Sequence, residues 1–414
     1  MLLRLPGGGG DDPTSLLARF PDEAKMPLRR VGLDPVPDLA ALRERAPVSR
    51  LKMPFGLRGW IVTGYEESRR VLAADPQTFS NDFSHMVGKV GIAADQDPGG
   101  LGFADPPAHT RLRHMLTPHF TTRALARQEP RVREIIEEAL AGVAEAAARD
   151  GVVDLQEHFA LPIPSRVIME LLGVEDDDQA EFQRLSTVRF DFNEGAASLD
   201  YIQEAIGLLR KTVARQRRNP GPGLIGAILS EYGDSIDDVE LAGLADGVLT
   251  GGLETTVSML ALGSVVLLRD PALAARVRDD DAAVEPFVEE ALRLLSVVQA
   301  GFPRFARTDI TLGGKEIFAG DVVVCSLSGA NRDARSGPQM DTVLLDRPPI
   351  SHLAFGHGLH RCVGAELARL ELRLAYPALL RRFPNLRLDG DPEALPYREL
   401  SMVYGLESLP VRVD

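Results

Sequence analysis

Phe355-Gly-His-Gly-Leu-His-Arg-Cys362-Val-Gly364 is the stretch on which the fold turns. One cysteine sits among glycines and basic residues, and a long helical pattern starts directly after it. A helix start places partial positive charge and unpaired backbone N–H groups at the sulfur, and both lower a thiol pKa. Gly358 and Gly364 lack a Cβ, so the backbone there can turn sharply and lie flat against a large planar ligand. His360 and Arg361 bring cationic or hydrogen-bonding groups that suit acidic substituents on such a ligand. A lone cysteine is ordinarily a small buried hydrophobe. Here the whole ten-residue context favours a thiolate bound to a metal.

The run resembles the haem-binding loop of the cytochrome P450 family, Phe-x-x-Gly-x-x-x-Cys-x-Gly. Phe355, Gly358, Cys362 and Gly364 fill every fixed position. The resemblance implies haem b (iron protoporphyrin IX) with Cys362 as the proximal metal ligand.

A second segment supports it. Ser235-Ile-Asp-Asp238 reads as a capping box, and the helix after it runs to Arg269, before Asp270-Pro271. At 1.5 Å per residue that is about 50 Å. The helix is apolar on nearly every face, so it is a core helix or a membrane span. Asp246, Glu254 and two central glycines disfavour the span. Its middle reads Gly251-Gly252-Leu253-Glu254-Thr255-Thr256. Two glycines cost about 2 kcal/mol of helix propensity relative to alanine. Thr255, four residues after Gly251 and three after Gly252, shares their face. That face has almost no bulk and one hydroxyl, which suits a flat ligand and a small molecule against the helix. The segment is similar to the family's Ala/Gly-Gly-x-Glu/Asp-Thr signature, which implies that Glu254 and Thr255 organise proton delivery.

Glu290 and Arg293, at i and i+3, match the family's Glu-x-x-Arg pair, implied to be buried and structural. Asn331-Arg332-Asp333 looks like the segment that usually follows, with Ala334 where proline is frequent. Met340-Asp-Thr-Val343 stands where the family has Pro-x-Arg-Phe, so packing against the pair departs from the pattern. His109 and Arg113 share a helix face, and Arg304 precedes a small sheet. The resemblance implies that these three and His360 neutralise the haem propionates, because unpaired buried carboxylates cost several kcal/mol.

The rest of the 414-residue chain fits a mainly α fold with small antiparallel β-sheets (α+β). The haem is expected between the long central helix and the helix after the cysteine loop. Gly59-Trp-Ile-Val-Thr63 reads as a strand before a helix at about 65–73, and 81–104 as a long loop. From Pro107 to Arg293 the chain reads as helical, broken at Pro162, Pro164, Gly173 and 219–223. Ile310-Thr-Leu, Lys315-Glu-Ile-Phe and Val322-Val-Val read as one small antiparallel sheet with glycine turns. The tail from Leu386 alternates as strands. Residues 1–12 read as a flexible tail and 13–414 as one domain.

Lys plus Arg number 46 and Asp plus Glu 60, a formal charge of 46 − 60 = −14. Nucleic acid and anionic membranes are therefore poor partners. Two cysteines, Cys325 in an apolar run and Cys362, exclude a disulfide framework and fit a reducing cytoplasm. The N-terminus, Met1-Leu-Leu-Arg-Leu-Pro before four glycines, reads as neither signal peptide nor anchor.

The resemblance implies a monooxygenase that inserts one atom of O₂ into an apolar small molecule, by hydroxylation or epoxidation. Nothing reads as a flavin or iron–sulfur domain. Electrons from NAD(P)H are therefore expected through a ferredoxin or flavodoxin with its reductase. Arg361, with Arg111 and Arg369, is a candidate docking patch. A peroxygenase using hydrogen peroxide is the rival, but such relatives replace the acid–threonine pair with Arg-Pro. A non-catalytic haem-thiolate sensor or carrier is the other alternative. Candidate substrate walls are Phe83 to Ile92, Phe190, Phe192, Val248, Val297-Val298 and Met402-Val403, with 81–103 and 182–202 opening and closing over the substrate.

Overall fold

In the computed structural model the described residues are 21–53, 56–82, 101–175, 178, 181–182 and 197–414, with side chains described in all but 197–203. The expected tail, Phe83 to Ile92, Phe190 and Phe192 lie outside them.

Apolar residues recurring every three or four positions build six helices that matter to the site. These are α1 (Ala108–Leu116), α2 (Glu129–Asp150), α3 (Pro162–Leu172), α4 (Asp238–Arg269), α5 (Val284–Leu295) and α6 (Ala365–Arg382). One continuous apolar core runs through them, from Leu112 to Val411. α4 is its axis, touching α3, α5, α6 and the helix Ala197–Arg218. By length and composition α4 could cross a membrane, yet 72% of its most apolar window is buried inside the protein. It is a core helix.

The start of α4 differs from the expected capping box. Asp237, with extended backbone (φ −80°, ψ 170°), is the N-cap, and its carboxylate accepts the Glu240 N–H at 2.8 Å. Ser235 lies in a preceding turn and donates to Tyr232 O. Pro162 and Pro164 likewise open a helix rather than break one. They sit in the first turn of α3, where the missing N–H groups have no helical partner to lose. Gly173 ends α3 in the left-handed conformation (φ 82°).

The angle between α4 and α6 is fixed at one point. The Tyr376 hydroxyl donates to Met259 O at 2.5 Å. It reaches that carbonyl because residue 263 is glycine; a Cβ there would lie 2.0 Å from the hydroxyl oxygen. This contact sets the cysteine loop, just ahead of α6, relative to the middle of α4.

The main sheet has five strands, β1 (Val48–Lys52), β2 (Arg58–Val62), β3 (Phe79–Ser80), β4 (Arg304–Ala306) and β5 (Val322–Cys325), in the order β1-β2-β5-β4-β3. β5 runs parallel to β2, with Cys325 opposite Val62, and antiparallel to β4. The expected single sheet around 310–325 is therefore two. Ile310–Leu312 and Lys315–Ile317 form a separate hairpin, turned by Gly313 (φ 55°) and Gly314 (φ 72°). β5 leaves it because Val322-Val-Val-Cys is apolar on both faces, which favours a central strand. The consequence for the site is β4, which carries Arg304 inward.

Candidate active site

The cysteine loop is built on two left-handed glycines, Gly356 (φ 67°) and Gly358 (φ 72°). A Cβ on Gly358 would fall 2.6 Å from Leu72 O and 2.7 Å from Ala73 Cα, so only glycine lets the loop close on the helix Tyr65–Leu72. Arg361 N–H donates to Gly358 O at 3.0 Å and Cys362 N–H to Phe355 O at 2.9 Å. Gly364 works differently from expectation. Its φ is −82° and a Cβ would meet Cys362 Sγ at an ordinary 3.9 Å. Its contribution is a backbone N–H bonded to the sulfur.

Cys362 keeps an accessible face although protein surrounds it. Burial pushes its thiol pKa up. The Gly364 N–H and the fields of Arg113, Arg361 and Arg369 pull the other way and do not overcome it. A metal cation at the sulfur reverses that balance, since a coordinating thiol is deprotonated outright.

Beside the loop, α1, β4 and His360 gather four basic groups. His109 is fully buried and neither ring nitrogen has a partner. Its ring lies 4.3 Å from that of His360, centroid to centroid. Arg113 is one turn further along α1. Arg304 is buried and donates to Phe302 O at 2.8 Å. Burial and mutual repulsion lower the pKa of His360 to about 3, burial first and then His109, Arg304 and Arg113. His109, Arg113 and Arg304 are lowered too, in each case chiefly by burial. Among the described residues none of the four forms an ion pair with a carboxylate. Desolvated basic groups with no carboxylate in contact call for an acidic ligand. The structure thus brings the four sequence-selected residues together.

On α4 the predicted small face divides. Gly251 is exposed in the middle of a buried helix, with nothing within 4 Å of where a Cβ would be. Thr255 is half-buried one turn away, and its hydroxyl donates to Gly251 O at 2.7 Å. That bond uses the hydroxyl proton and leaves the oxygen able to accept. Gly252 instead faces α3, where a Cβ would lie 2.8 Å from Ile168 Cδ1. Glu254 is buried, and Arg398 Nη1 donates to its Oε1 at 3.0 Å. Arg398 was not legible in the sequence, 144 residues away in a tail that reads only as alternating strand.

The Glu290–Arg293 pair is buried and bidentate, at 2.7 and 2.9 Å. The departure at Met340-Asp-Thr-Val343 is resolved by backbone: Arg293 donates to Met340 O and Thr342 O. Arg347, which sequence reasoning missed, gives Glu290 a second cation at 3.0 Å. The proposed docking arginines separate. Arg369 is largely buried, bound by Glu289 and Glu366, with its guanidinium 4.7 Å from the Phe355 ring centroid. Arg111 pairs with Glu240. Arg361 remains accessible, half-exposed and loosely paired with Glu366 at 3.7 Å.

A planar, doubly acidic, iron-bearing ligand answers the accessible thiol, the orphaned basic cluster and the bare face of α4 together, and that makes this the site of a haem-thiolate protein. Comparison turns the class into a family: the chain belongs to the cytochrome P450 family. The family model for cytochrome P450 matches residues 191–403. Cytochrome P450 165B3 of Amycolatopsis orientalis is 38% identical, covering 94% of this chain and 98% of its own. The cytochrome P450 monooxygenase PikC of Streptomyces venezuelae is 38% identical over 92% of this chain and 91% of its own. The solved structure of OxyE, a cytochrome P450 involved in teicoplanin biosynthesis, matches with a TM-score of 0.84 at 36% identity, covering 95% of this chain and 100% of that one. The protein is a P450 monooxygenase whose cofactor is haem b.

Proposed function

We propose that this enzyme, a single catalytic domain over residues 13–414, hydroxylates or epoxidises an apolar secondary metabolite in the cytoplasm. Electrons come from NAD(P)H through a ferredoxin or flavodoxin and its reductase. The relatives support the substrate class: one is named mycinamicin IV hydroxylase/epoxidase, and another is described in teicoplanin biosynthesis. The reading rests above all on Thr255, whose hydroxyl lies beside Gly251, an exposed position in the middle of α4, with buried Glu254 next to it. An acid–threonine pair suits proton delivery, which favours an oxygen-activating enzyme over a peroxygenase, a sensor or a carrier.

When bound, the haem supplies the reductive activation of O₂. The protein's own residues hold and protonate. Cys362 holds the iron, with the Gly364 N–H on its sulfur. Arg113, Arg304, His109 and His360 would hold the two propionates, and Arg113 and Arg304 would gain there the carboxylate partners they lack. Phe355 and Gly358 shape the loop, and Gly251 leaves room on the opposite face. Thr255 accepts a hydrogen bond at Oγ and so keeps a proton donor in place. Glu254 moves protons inward from solvent. Arg361 is the accessible cation for an acidic electron carrier.

Thr255→Ala and Thr255→Val test this with a competent reductase system and a true substrate. Both are expected to keep consuming NADH while releasing several-fold more hydrogen peroxide per product, and Glu254→Gln to lower turnover roughly 10²-fold. Unchanged coupling in both Thr255 variants refutes the role of the hydroxyl.

A further inference from the structure

A carboxylate in the middle of an apolar helix needs hydrogen bonds or a cation to stay ionised, and a cation that donates supplies both. At Glu254 that cation is Arg398. Its Nη1 donates to Glu254 Oε1 at 3.0 Å, while its Nε lies 3.4 Å from Glu407 Oε1. Side-chain exposure falls from 52% at Glu407 through 17% at Arg398 to 7% at Glu254. Three charges of alternating sign thus run from solvent to the helix that carries Thr255.

The segment bearing Arg398 is placed by several independent bonds. Arg398 N–H donates to Gly405 O at 2.9 Å, and Tyr397 bridges to Leu406, so 397–406 folds back on itself. Its tip is tied to 297–299. Val298 bridges to Val403, Tyr404 N–H donates to Val297 O, and Gln299 Nε2 donates to Ser401 O at 2.7 Å. The turn lies directly on α4, since a Cβ on Gly405 would be 2.6 Å from the Oγ of Ser258, one helical turn beyond Glu254. Residue 405 must therefore be small for Arg398 to reach its carboxylate.

We propose that Arg398 is the positioning residue for Glu254. It holds the carboxylate on the side of α4 that faces the C-terminal turn and links it through Glu407 to water. Arg398 thereby sets how readily Glu254 exchanges protons between solvent and the Thr255 face. The inference rests on the reading of Glu254 as a proton carrier. It adds a residue from outside the helix, and it joins the proton route to the same turn that presents Met402 and Val403. Arginine suits the task because its rigid planar fork offers donors fixed toward both carboxylates, where lysine offers a compact point charge on a flexible stem.

The test uses the haem-loaded enzyme with substrate and reductase, comparing Arg398→Gln, Arg398→Lys, Glu254→Gln and the Arg398→Gln/Glu254→Gln pair. Arg398→Gln is expected to lower kcat about tenfold, a part of the loss expected for the acid itself, with KM unchanged and a larger solvent deuterium isotope effect on kcat. Arg398→Lys should recover part of both, and the double variant should be no slower than Glu254→Gln alone. Urea unfolding of the four proteins gives an independent readout. The double variant should regain stability lost in Arg398→Gln, because no charge is then stranded. If Arg398→Gln fails to fold, Gly405→Ala, which displaces the turn from Ser258 and leaves the arginine intact, should show the same slower turnover and larger isotope effect. Normal kcat and isotope effect in Arg398→Gln beside a slow Glu254→Gln overturn this inference and leave the role of Glu254 standing. Normal turnover in Glu254→Gln refutes the proton-carrying role, and this inference falls with it.

Discussion

Replacing Arg293 by leucine removes five hydrogen bonds, four of them buried. Two go to Glu290, at 2.7 and 2.9 Å, and three to the carbonyls of Asn331, Met340 and Thr342, at 3.2, 2.6 and 2.9 Å. Arg293 is 1% exposed and the Glu290 side chain 8%, so water cannot take over. Glu290 keeps only the Leu344 N–H and Arg347, each at 3.0 Å. Breaking a buried pair from one side costs about 3–5 kcal/mol. Asn331 O and Met340 O, left unpaired, add about 1–3 kcal/mol each, whereas Thr342 O keeps Arg347 Nη2 at 3.4 Å. Leucine recovers about 2 kcal/mol by apolar burial, leaving a net loss of about 3–9 kcal/mol. A domain of this kind is stable by about 5–15 kcal/mol in total, so the variant sits at the edge of unfolding. Haem occupancy should fall with it, because α5 leads into the segment that carries Arg304. The checks are soluble yield, haem per chain from the absorbance ratio, and the urea midpoint. The pH dependence has a defined sign. Burial raises the Glu290 pKa, but its bonds to Arg293 and its neighbours outweigh burial and hold it below the ordinary value of 4.5. Its contribution is therefore complete above about pH 4.5 and is lost as pH falls through the lower, folded value. A soluble, haem-replete Arg293→Leu protein within about 1 kcal/mol of the parent in urea would refute this account.

Cys362→Ser should abolish the red-shifted absorbance band of the reduced, carbon-monoxide-bound protein; a variant that retains it would place the iron ligand elsewhere. Glu371 is buried on α6, its Oε2 has no partner, and burial alone pushes its pKa up to about 8. The folded state then binds the extra proton between about pH 4.5 and 8, so stability falls as pH rises, by at most about 4 kcal/mol from pH 5 to pH 8 at 1.36 kcal/mol per unit. Glu371→Gln should flatten that dependence, and equal urea-midpoint slopes for parent and variant would contradict it. Gly251→Ala should stabilise by about 0.5–1 kcal/mol through helix propensity, whereas Gly252→Ala should gain less, because its Cβ meets Ile168. Equal shifts in the two would show that α3 gives way freely.

Much of the site was legible because its chemistry is local in sequence. The cysteine and its glycines occupy ten residues, and the following helix starts directly after them. Gly251, Glu254 and Thr255 fall within two turns, and Glu290 and Arg293 within one. What stayed hidden depends on partners chosen by long-range packing. Arg398 reaches Glu254 across 144 residues, and Arg347 reaches Glu290 across 57. Neither has a neighbour in sequence that betrays it. The parallel register of β5 on β2 is of the same kind. Charge was visible where pairing was not, so Arg369 and Arg111 read as free when Glu289 and Glu240 already hold them. The cap of α4 failed for a smaller reason. Ser235 and Asp237 both suit an N-cap, and the extended backbone at Asp237 decides between them.

The basic cluster shows how these local signals become one site. His109, Arg113, Arg304 and His360 come from a helix, a strand and a loop, each fixed by apolar packing that takes no account of their charge. Tyr376 against Gly263 then holds α6 and its cysteine loop at a set angle to α4. The protein thus spends folding energy on bringing four basic groups together with no carboxylate in direct contact and only the field of Asp105 on His109 and Arg304, a locally unfavourable arrangement that an acidic ligand relieves. Substituting Arg113 or Arg304 by a neutral residue should weaken haem retention while sparing, or even raising, the stability of the haem-free chain. That opposition between binding and stability is the mark of a preorganised site, and it separates these residues from Glu290 and Arg293, whose loss lowers both.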